Sequence, residues 1–462
     1  MMNHARVKAL KGNGKTVSRK AVKSGRASGA TTPLSSPMAS LLTSPTHSAT
    51  HSRVTSDMSD PDDDASDLEL DDMTSSIHSA GSLSEAGDDT TGATFDAKAL
   101  IEAIQDRKHN NNEVREQYLE VYVRYLRNKY AADAHHWLDD AALSLTDCFL
   151  KGANRGESAR ERLLSLQAFC ITVGTVEDME IFEGASKALK QIVLDDDDDS
   201  CQVWAIYALS MTVLYGGGLE ESALDLMEYF VDIVQTDGES IEAHDNATVV
   251  AAALLGWAFI AGHVDDFSDY ADTAIDSFAD QLDSTDVEIQ SNAAGCIALI
   301  YEASRNHEEE TGKPFQLQYD PQRLVGRLSE MAKISAKSVS RRDRRDLRES
   351  LLSVVTSLER SVGPYYSTAL YIPEKDDHVP AAQRTDDGRA EYGYRYKLRL
   401  GNHTARVDTW SLYFRVTMLK VIFRGGLEKH IFVNPVVTEC LEDANFSQEY
   451  TADDAARKSR KK

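Results

Sequence analysis

From residue 96 onward, apolar side chains return at steps of three and four, the period of a helix with one buried face. Residues 112–131 place Val114, Tyr118, Val121, Tyr122, Tyr125 and Leu126 on one such stripe. Further along, two kinds of helix alternate. One is apolar nearly all round, as in the stretch opened by Val203-Trp204-Ala205-Ile206-Tyr207 and stopped by Gly216-Gly217-Gly218, or in Thr248 to Ala261. The next is amphipathic, as in Leu219, Ala223, Leu226, Phe230 and Val234, or in Phe267, Ala271, Ala274, Ile275, Phe278 and Leu282. Ala159 to Val173 and Met179 to Val193 form an earlier pair, and Val287 to Tyr301 opens a later one.

The helix pairs begin near Asn112, Glu157, Ser200, Glu242 and Asp286, at intervals of about 45, 43, 42 and 44 residues, which is the armadillo and HEAT period. A pair of this kind cannot hide its apolar face alone, and stacking hides it. The expected fold is therefore all-α, an armadillo/HEAT-like α-solenoid over residues 96–360, with a polar linker from Arg305 to Asp320. Residues 361–391 read as an irregular connection. In residues 392–445 an extended segment precedes a helix: Tyr392, Tyr394, Tyr396, Leu398 and Leu400 alternate with Arg395, Lys397 and Arg399, then Asp408-Thr409 offers a cap for a helix from Trp410 to Phe423 that Gly425-Gly426 ends.

The chain has 462 residues and a formal net charge of -25, which excludes a bulk nucleic-acid binder and confines any such contact to local basic patches. Residues 1–26 hold eight Lys and Arg and no acid, whereas residues 57–96 are rich in Asp and Glu with no Lys or Arg. A Ser/Thr/Pro-rich stretch lies between them. Segments so poor in large apolar side chains cannot offset their ordering entropy, so residues 1–95 read as a disordered head and 446–462 as a disordered basic tail.

Motifs for catalysis or cofactor binding do not occur: no Walker loop, dinucleotide fingerprint, H-E-x-x-H or nucleophile elbow. His135 and His136 are adjacent, about 100° apart on a helix, and unsuited to chelating one ion. The run Asp195 to Asp199 lacks the glycine and alternation of a calcium loop. Neither a metal nor a cofactor is expected. The five cysteines form no C-x-x-C pair and read as free thiols, and no apolar run is long enough to span a membrane.

Three surfaces could bind macromolecules. Lys337, Arg341, Arg344, Arg345 and Arg348 share a helical stripe suited to a phosphate backbone. Arg395, Lys397 and Arg399 form the basic side of the extended segment. Asp265, Asp269, Asp272, Asp276 and Asp280 line one helix face, which is either simply solvated or open to a basic protein.

The block from Tyr396-Lys-Leu-Arg-Leu-Gly401 through Asp408-Thr-Trp410 to Phe423 and Gly425-Gly426 resembles the C-terminal conserved region of the interferon-related developmental regulator family. Leu145-Thr146-Asp147 and the helix from Arg160 to Gly174 resemble that family's N-terminal domain. Two features depart from the pattern: the helix 410–423 is more apolar, and Gly401 to Arg406 is spelled differently. The resemblance implies an armadillo-like fold without enzymatic activity, acting in gene regulation in cytoplasm and nucleus. It implies two modes, association with translationally inactive ribosomes and transcriptional co-regulation through chromatin-modifying complexes. The basic surfaces favour the ribosome and its rRNA; the acidic ones favour protein partners. Neither a membrane nor a small-molecule substrate is expected.

Overall fold

The computed structural model describes residues 97–130, 136–333, 340–368, 391–394, 396–400 and 403–448. The predicted head, residues 449–462 of the tail and most of the connection 361–391 lie outside these residues; the first three tail residues, expected to be disordered, instead form a strand, Phe446–Gln448, because they pair with the preceding hairpin. The described chain is an all-α helical repeat joined to a small strand-and-helix region. Its helices are α1 (Ala97–Gln105), α2 (Asn112–Asn128), α3 (His136–Asp139), α4 (Ala142–Arg155), α5 (Ala159–Val173), α6 (Ile181–Asp195) and α7 (Asp199–Tyr215). They continue with α8 (Glu220–Gln235), α9 (Ala247–Ala261), α10 (Ser268–Gln281), α11 (Val287–Thr311), α12 (Pro321–Lys333) and α13 (Arg341–Arg360).

Two rows emerge from the packing. In the inner row α2 packs on α5, α5 on α7, α7 on α9, α9 on α11 and α11 on α13. The outer helices α4, α6, α8, α10 and α12 each pack on the inner helix that follows. The repeating unit is thus an amphipathic helix and its buried successor, the reverse of the pairing read from the sequence. Burial explains why the central inner helices α7 and α9 lack a polar face. In α9 every residue from Val249 to Ala261 is buried, and α7 is buried from Cys201 to Val213.

Capping marks the rows. Every inner helix starts with a side chain that accepts a hydrogen bond from its first turn: Asn111, Ser158, Asp198, Asn246, Asp286 and Ser340. The outer helices α4, α6, α8 and α10 have none. A cap contributes about 1 kcal/mol. Here it falls on the inner helices, and from Asn111 to Asp286 the caps return at the mean spacing of about 43 residues seen in the sequence. The aspartate run at 195–199 is absorbed in the same way. Asp198 caps α7, and Asp196 takes both Nε and Nη2 of Arg162 at 2.8 and 3.0 Å.

Two boundaries differ from expectation. Residues 305–311 belong to α11 and not to the linker; the helix runs on through His307-Glu-Glu-Glu310 and stops at Gly312, which has φ 76°. Leu219, read as part of an apolar face, precedes α8 and is 71% exposed. The connection after α13 also contains a strand, β1 (Tyr366–Thr368), antiparallel to β2 (Glu391–Tyr394).

A second, three-stranded sheet is built from β3 (Lys397–Leu400), β4 (His403–Arg406) and β5 (Phe446–Gln448), in that order and antiparallel. Between β4 and β5 lie α14 (Trp410–Phe423), a 3-10 turn (Arg424–Lys429) and α15 (Pro435–Cys440). Helix α14 packs across the inner row, on α2, α5, α9 and α11. This accounts for its apolar character on all sides. The array covers one side, while Leu427, Val436 and Val437 of the following segment are buried with it.

Candidate nucleic-acid interface

The basic helix predicted from Lys337 begins, as described, at Arg341, with Ser340 accepting the Asp343 N–H. Lys337 lies outside the described residues. From this start Arg341, Arg345 and Arg348 fall on successive turns of the solvent side and are exposed, and Leu352 continues their line. The opposite side buries Leu351, Val354 and Val355 against the array. Arg344, expected on the same stripe, is half-buried, and its Nε donates to the Ser340 carbonyl at 3.3 Å. Arg342 lies 3.9 Å from Asp346. Among the described residues no carboxylate pairs with Arg341, Arg345 or Arg348.

The extended segment forms the second basic surface. In β3 the expected alternation holds: Tyr396, Leu398 and Leu400 are buried, while Lys397 and Arg399 are exposed. Arg395 is outside the described residues. The register adds a residue that the sequence reading missed. Lys397 pairs directly with Arg406 of β4, which is exposed. Like charges directly across a strand pair destabilise it, so Lys397, Arg399 and Arg406 make a cationic face that does not serve the sheet. A signal for this existed, because Gly401-Asn402 between two short runs is a hairpin cue. The buried side of this sheet rests on the end of α13. Tyr396 stacks on Tyr365 at 5.6 Å, and the Tyr365 N–H donates to Ser353 Oγ at 2.6 Å. Both cationic surfaces therefore belong to one end of the array.

The acidic face is partly taken up by the chain itself. Asp272 accepts the Gln318 backbone N–H at 2.8 Å and its Nε2 at 2.7 Å, and Asp276 accepts the Tyr319 hydroxyl at 2.9 Å. The linker between α11 and α12 thus lies over the middle of the row. Asp265, Asp269 and Asp280 are left exposed. Partial desolvation by its neighbours, then Asp276 and Asp283, raises the carboxyl of the still accessible Asp280 above the usual range, against the nearby Arg327.

The remaining motif residues sit where α14 and its flanks cross the C-terminal ends of the inner helices. Thr409, not Asp408, caps α14, accepting the Leu412 N–H at 3.1 Å. Glu302 of α11 accepts the N–H groups of Trp410 and Ser411 at 2.9 and 3.0 Å. Burial raises its carboxyl, and those two N–H groups act against the rise. Trp410 Nε1 donates to Ser357 Oγ of α13 at 3.0 Å, and Ser411 Oγ donates to Gly262 O after α9 at 2.9 Å. At the far end Arg127 Nε of α2 donates to Ile422 O at 3.1 Å, His430 Nε2 meets Arg127 O at 3.0 Å, and Asn434 Nδ2 donates to Gly174 O after α5 at 2.9 Å. The Cys440 thiol lies beside the Tyr215 hydroxyl at the end of α7. One segment thus touches all six inner helices. The side of the inner row at their C-terminal ends is closed by the chain's own sequence, which leaves the cationic end as the exposed candidate surface.

The sequence profile of the family described as interferon-related developmental regulator matches residues 69–359. The chain belongs to that family. The match takes in the helical array as far as the penultimate residue of α13. An uncharacterised protein of Schizosaccharomyces pombe is 21% identical over 371 residues, covering 76% of this chain and 75% of that protein. In this member of the interferon-related developmental regulators, Gly425-Gly426 does not end α14 as a glycine cap. Arg424 ends it, at φ 50° and ψ -138°, and the glycines continue into the 3-10 turn. The two are unequal. A Cβ on Gly426 would stand 2.0 Å from the Arg127 carbonyl oxygen, whereas nothing lies within 4 Å of one on Gly425. Gly426→Ala should therefore lower stability by about 2–3 kcal/mol as α2 and the turn are forced apart, and Gly425→Ala by under about 1 kcal/mol. Thermal melts of the two variants side by side check this; equal melting temperatures would contradict the packing.

Proposed function

We propose that this chain is a non-enzymatic scaffold that regulates gene expression by holding RNA-containing particles, ribosomes in a translationally inactive state first among them. The observation that carries the reading is the exposed series Arg341, Arg345 and Arg348, with which no carboxylate pairs among the described residues, in a chain of net charge -25. It is supported by the like-charged Lys397–Arg406 pair on the neighbouring sheet. Exposed cations without acid partners suit a phosphate backbone, which is held by charge and released by salt.

The scaffold part of the reading draws on what the buried ionisable groups do. Glu161 is fully buried, and Arg115 Nε and Nη2 and Arg107 Nη2 donate to it at 2.8, 3.0 and 2.7 Å. Burial pushes its carboxyl up, but the bond from Arg115, the Glu157 N–H and both arginine charges outweigh this and hold it below the usual range. A carboxylate so saturated ties α2 to α5 and has no lone pair to spare for proton transfer. The adjoining cavity, of about 10 Å³, has room for roughly one water. Among the described residues no group of three His, Cys, Asp or Glu side chains is placed to hold a metal ion.

A second reading, transcriptional co-regulation through chromatin-modifying complexes in the nucleus, draws on the exposed Asp265, Asp269 and Asp280, which suit a basic protein partner. Sucrose-gradient sedimentation of lysates from starved cells separates the two. The ribosome reading expects the protein in ribosomal fractions at low salt and its release as salt rises. Absence from those fractions at low salt, with the protein on chromatin, would establish the second reading instead.

A further inference from the structure

Where α14 ends, at the opposite end of the inner row from α13, Arg424 stands between two residues that touch Arg127: Ile422, whose carbonyl accepts from Arg127 Nε, and Gly426, packed against the Arg127 carbonyl; among the described residues neither arginine pairs with a carboxylate. Arg127 is half-buried at the end of α2, and its Nε is used on Ile422 O. Arg424 adjoins it, and among the described residues no hydrogen bond or ion pair holds its guanidinium. Arg424 also occupies a backbone conformation, φ 50° and ψ -138°, that side chains other than glycine rarely adopt. Glycine would remove that strain, and glycine stands at both of the next two positions. The strained position is nevertheless held by an arginine, whose charge lies near that of Arg127. A strained backbone that keeps one cation beside another at a single turn suits an anionic ligand.

The surroundings describe the counter-charge. Arg124 and Lys129 of the same helix end are exposed, and the Lys129 ammonium lies 5.7 Å from the centre of the Tyr125 ring. Cations around a half-exposed aromatic ring suit the phosphates and bases of a single strand. We propose that Arg127 and Arg424 form a phosphate-binding pair that takes a backbone phosphodiester of single-stranded RNA. This rests on the RNA reading above and extends it: RNA is held at both ends of the row, by α13 and its sheet at one end and by this pair at the other. Helix α14, about 21 Å long, lies between them. Burial, then the nearby Arg424, lowers the Arg127 guanidinium to about 9, and a bound phosphate would reverse that shift.

Arg424→Gly separates binding from folding, because it relieves the strain while removing the charge. Its full-length variant should melt at the same temperature as the parent or higher. It should bind a short fluorescein-labelled oligouridylate about five- to tenfold more weakly, with a salt slope smaller by about 0.7. Arg424→Lys should recover part of that loss. Tripolyphosphate, added without RNA, should raise the melting temperature of the parent by more than that of Arg424→Gly, whose remaining rise comes from the cationic surfaces at α13. Equal RNA affinity of parent and Arg424→Gly, with weakened binding by an Arg341/Arg345/Arg348 variant, overturns this site and leaves the RNA reading standing. A parent that responds to tripolyphosphate through Arg424 but binds no RNA overturns the RNA occupant along with the broader reading. No response to either probe overturns the pair as a phosphate site.

Discussion

Trp410→Ala should destabilise the fold by roughly 4 kcal/mol, a loss expected from deleting a fully buried large aromatic side chain. The indole is 2% exposed, meets Tyr413 edge-on at 5.5 Å and packs near Phe414. Its Nε1 is the group that joins α14 to Ser357 of α13. Removing the ring opens a cavity between α11, α13 and α14, and removes a buried hydrogen bond of about 1 kcal/mol. Trp410→Phe keeps most of the contact and should lose under half as much. Denaturant titration measures the difference. Hydrogen exchange gives a sharper test, because a loosened α14 should also lower protection in the last turn of α2, which is bound to Ile422 through Arg127. A loss below about 1 kcal/mol would show that Trp410 does not anchor this segment.

The triple substitution Arg341→Ala, Arg345→Ala and Arg348→Ala should weaken ribosome association about 100-fold at low salt and flatten its salt dependence by about 2 in slope, three phosphate contacts being lost. Stability should move the other way. Arg341 stands in the first turn of α13, where the helix dipole disfavours a cation, with Asp343 the one acid there. The variant should therefore be as stable as the parent or a few tenths of a kcal/mol more so. A variant with normal sedimentation would remove α13 from the interface. Arg344→Ala alone should change binding little, since that side chain is turned to Ser340.

The array was legible in the sequence because its signals are local. Apolar periodicity and each capping residue, from Asn111 to Ser340, lie within a turn or two of the helix they mark, and their return along the chain needs only counting. Which helix of a pair packs on which was not legible, because α7 and α9 are apolar nearly all round and periodicity has no face to point with. Of the candidate site, exposure of Arg341, Arg345 and Arg348 followed from the same helical steps. Arg344 departed because the helix starts at Arg341 and bends its fourth residue back on the cap. Arg406 needed the hairpin register. Glu302 is marked by nothing near it in the chain; its partners Trp410 and Ser411 are 108 and 109 residues away. The excess apolar content of 410–423, a departure from the family pattern, is the trace of burial on every side.

The crossing of the inner row by α14 has a consequence for synthesis. His430 meets the carbonyl of Arg127, 303 residues earlier in the chain. At 5–20 residues per second, roughly 15–60 s separate the translation of these two partners. Over that interval the nascent array carries an uncovered apolar seam along the ends of its inner helices, with no later residue yet made to cover it. An ordinary repeat array gains stability unit by unit as each neighbour arrives. This one completes its first unit last, so its slowest and most aggregation-prone folding step should be the docking of residues 410–440.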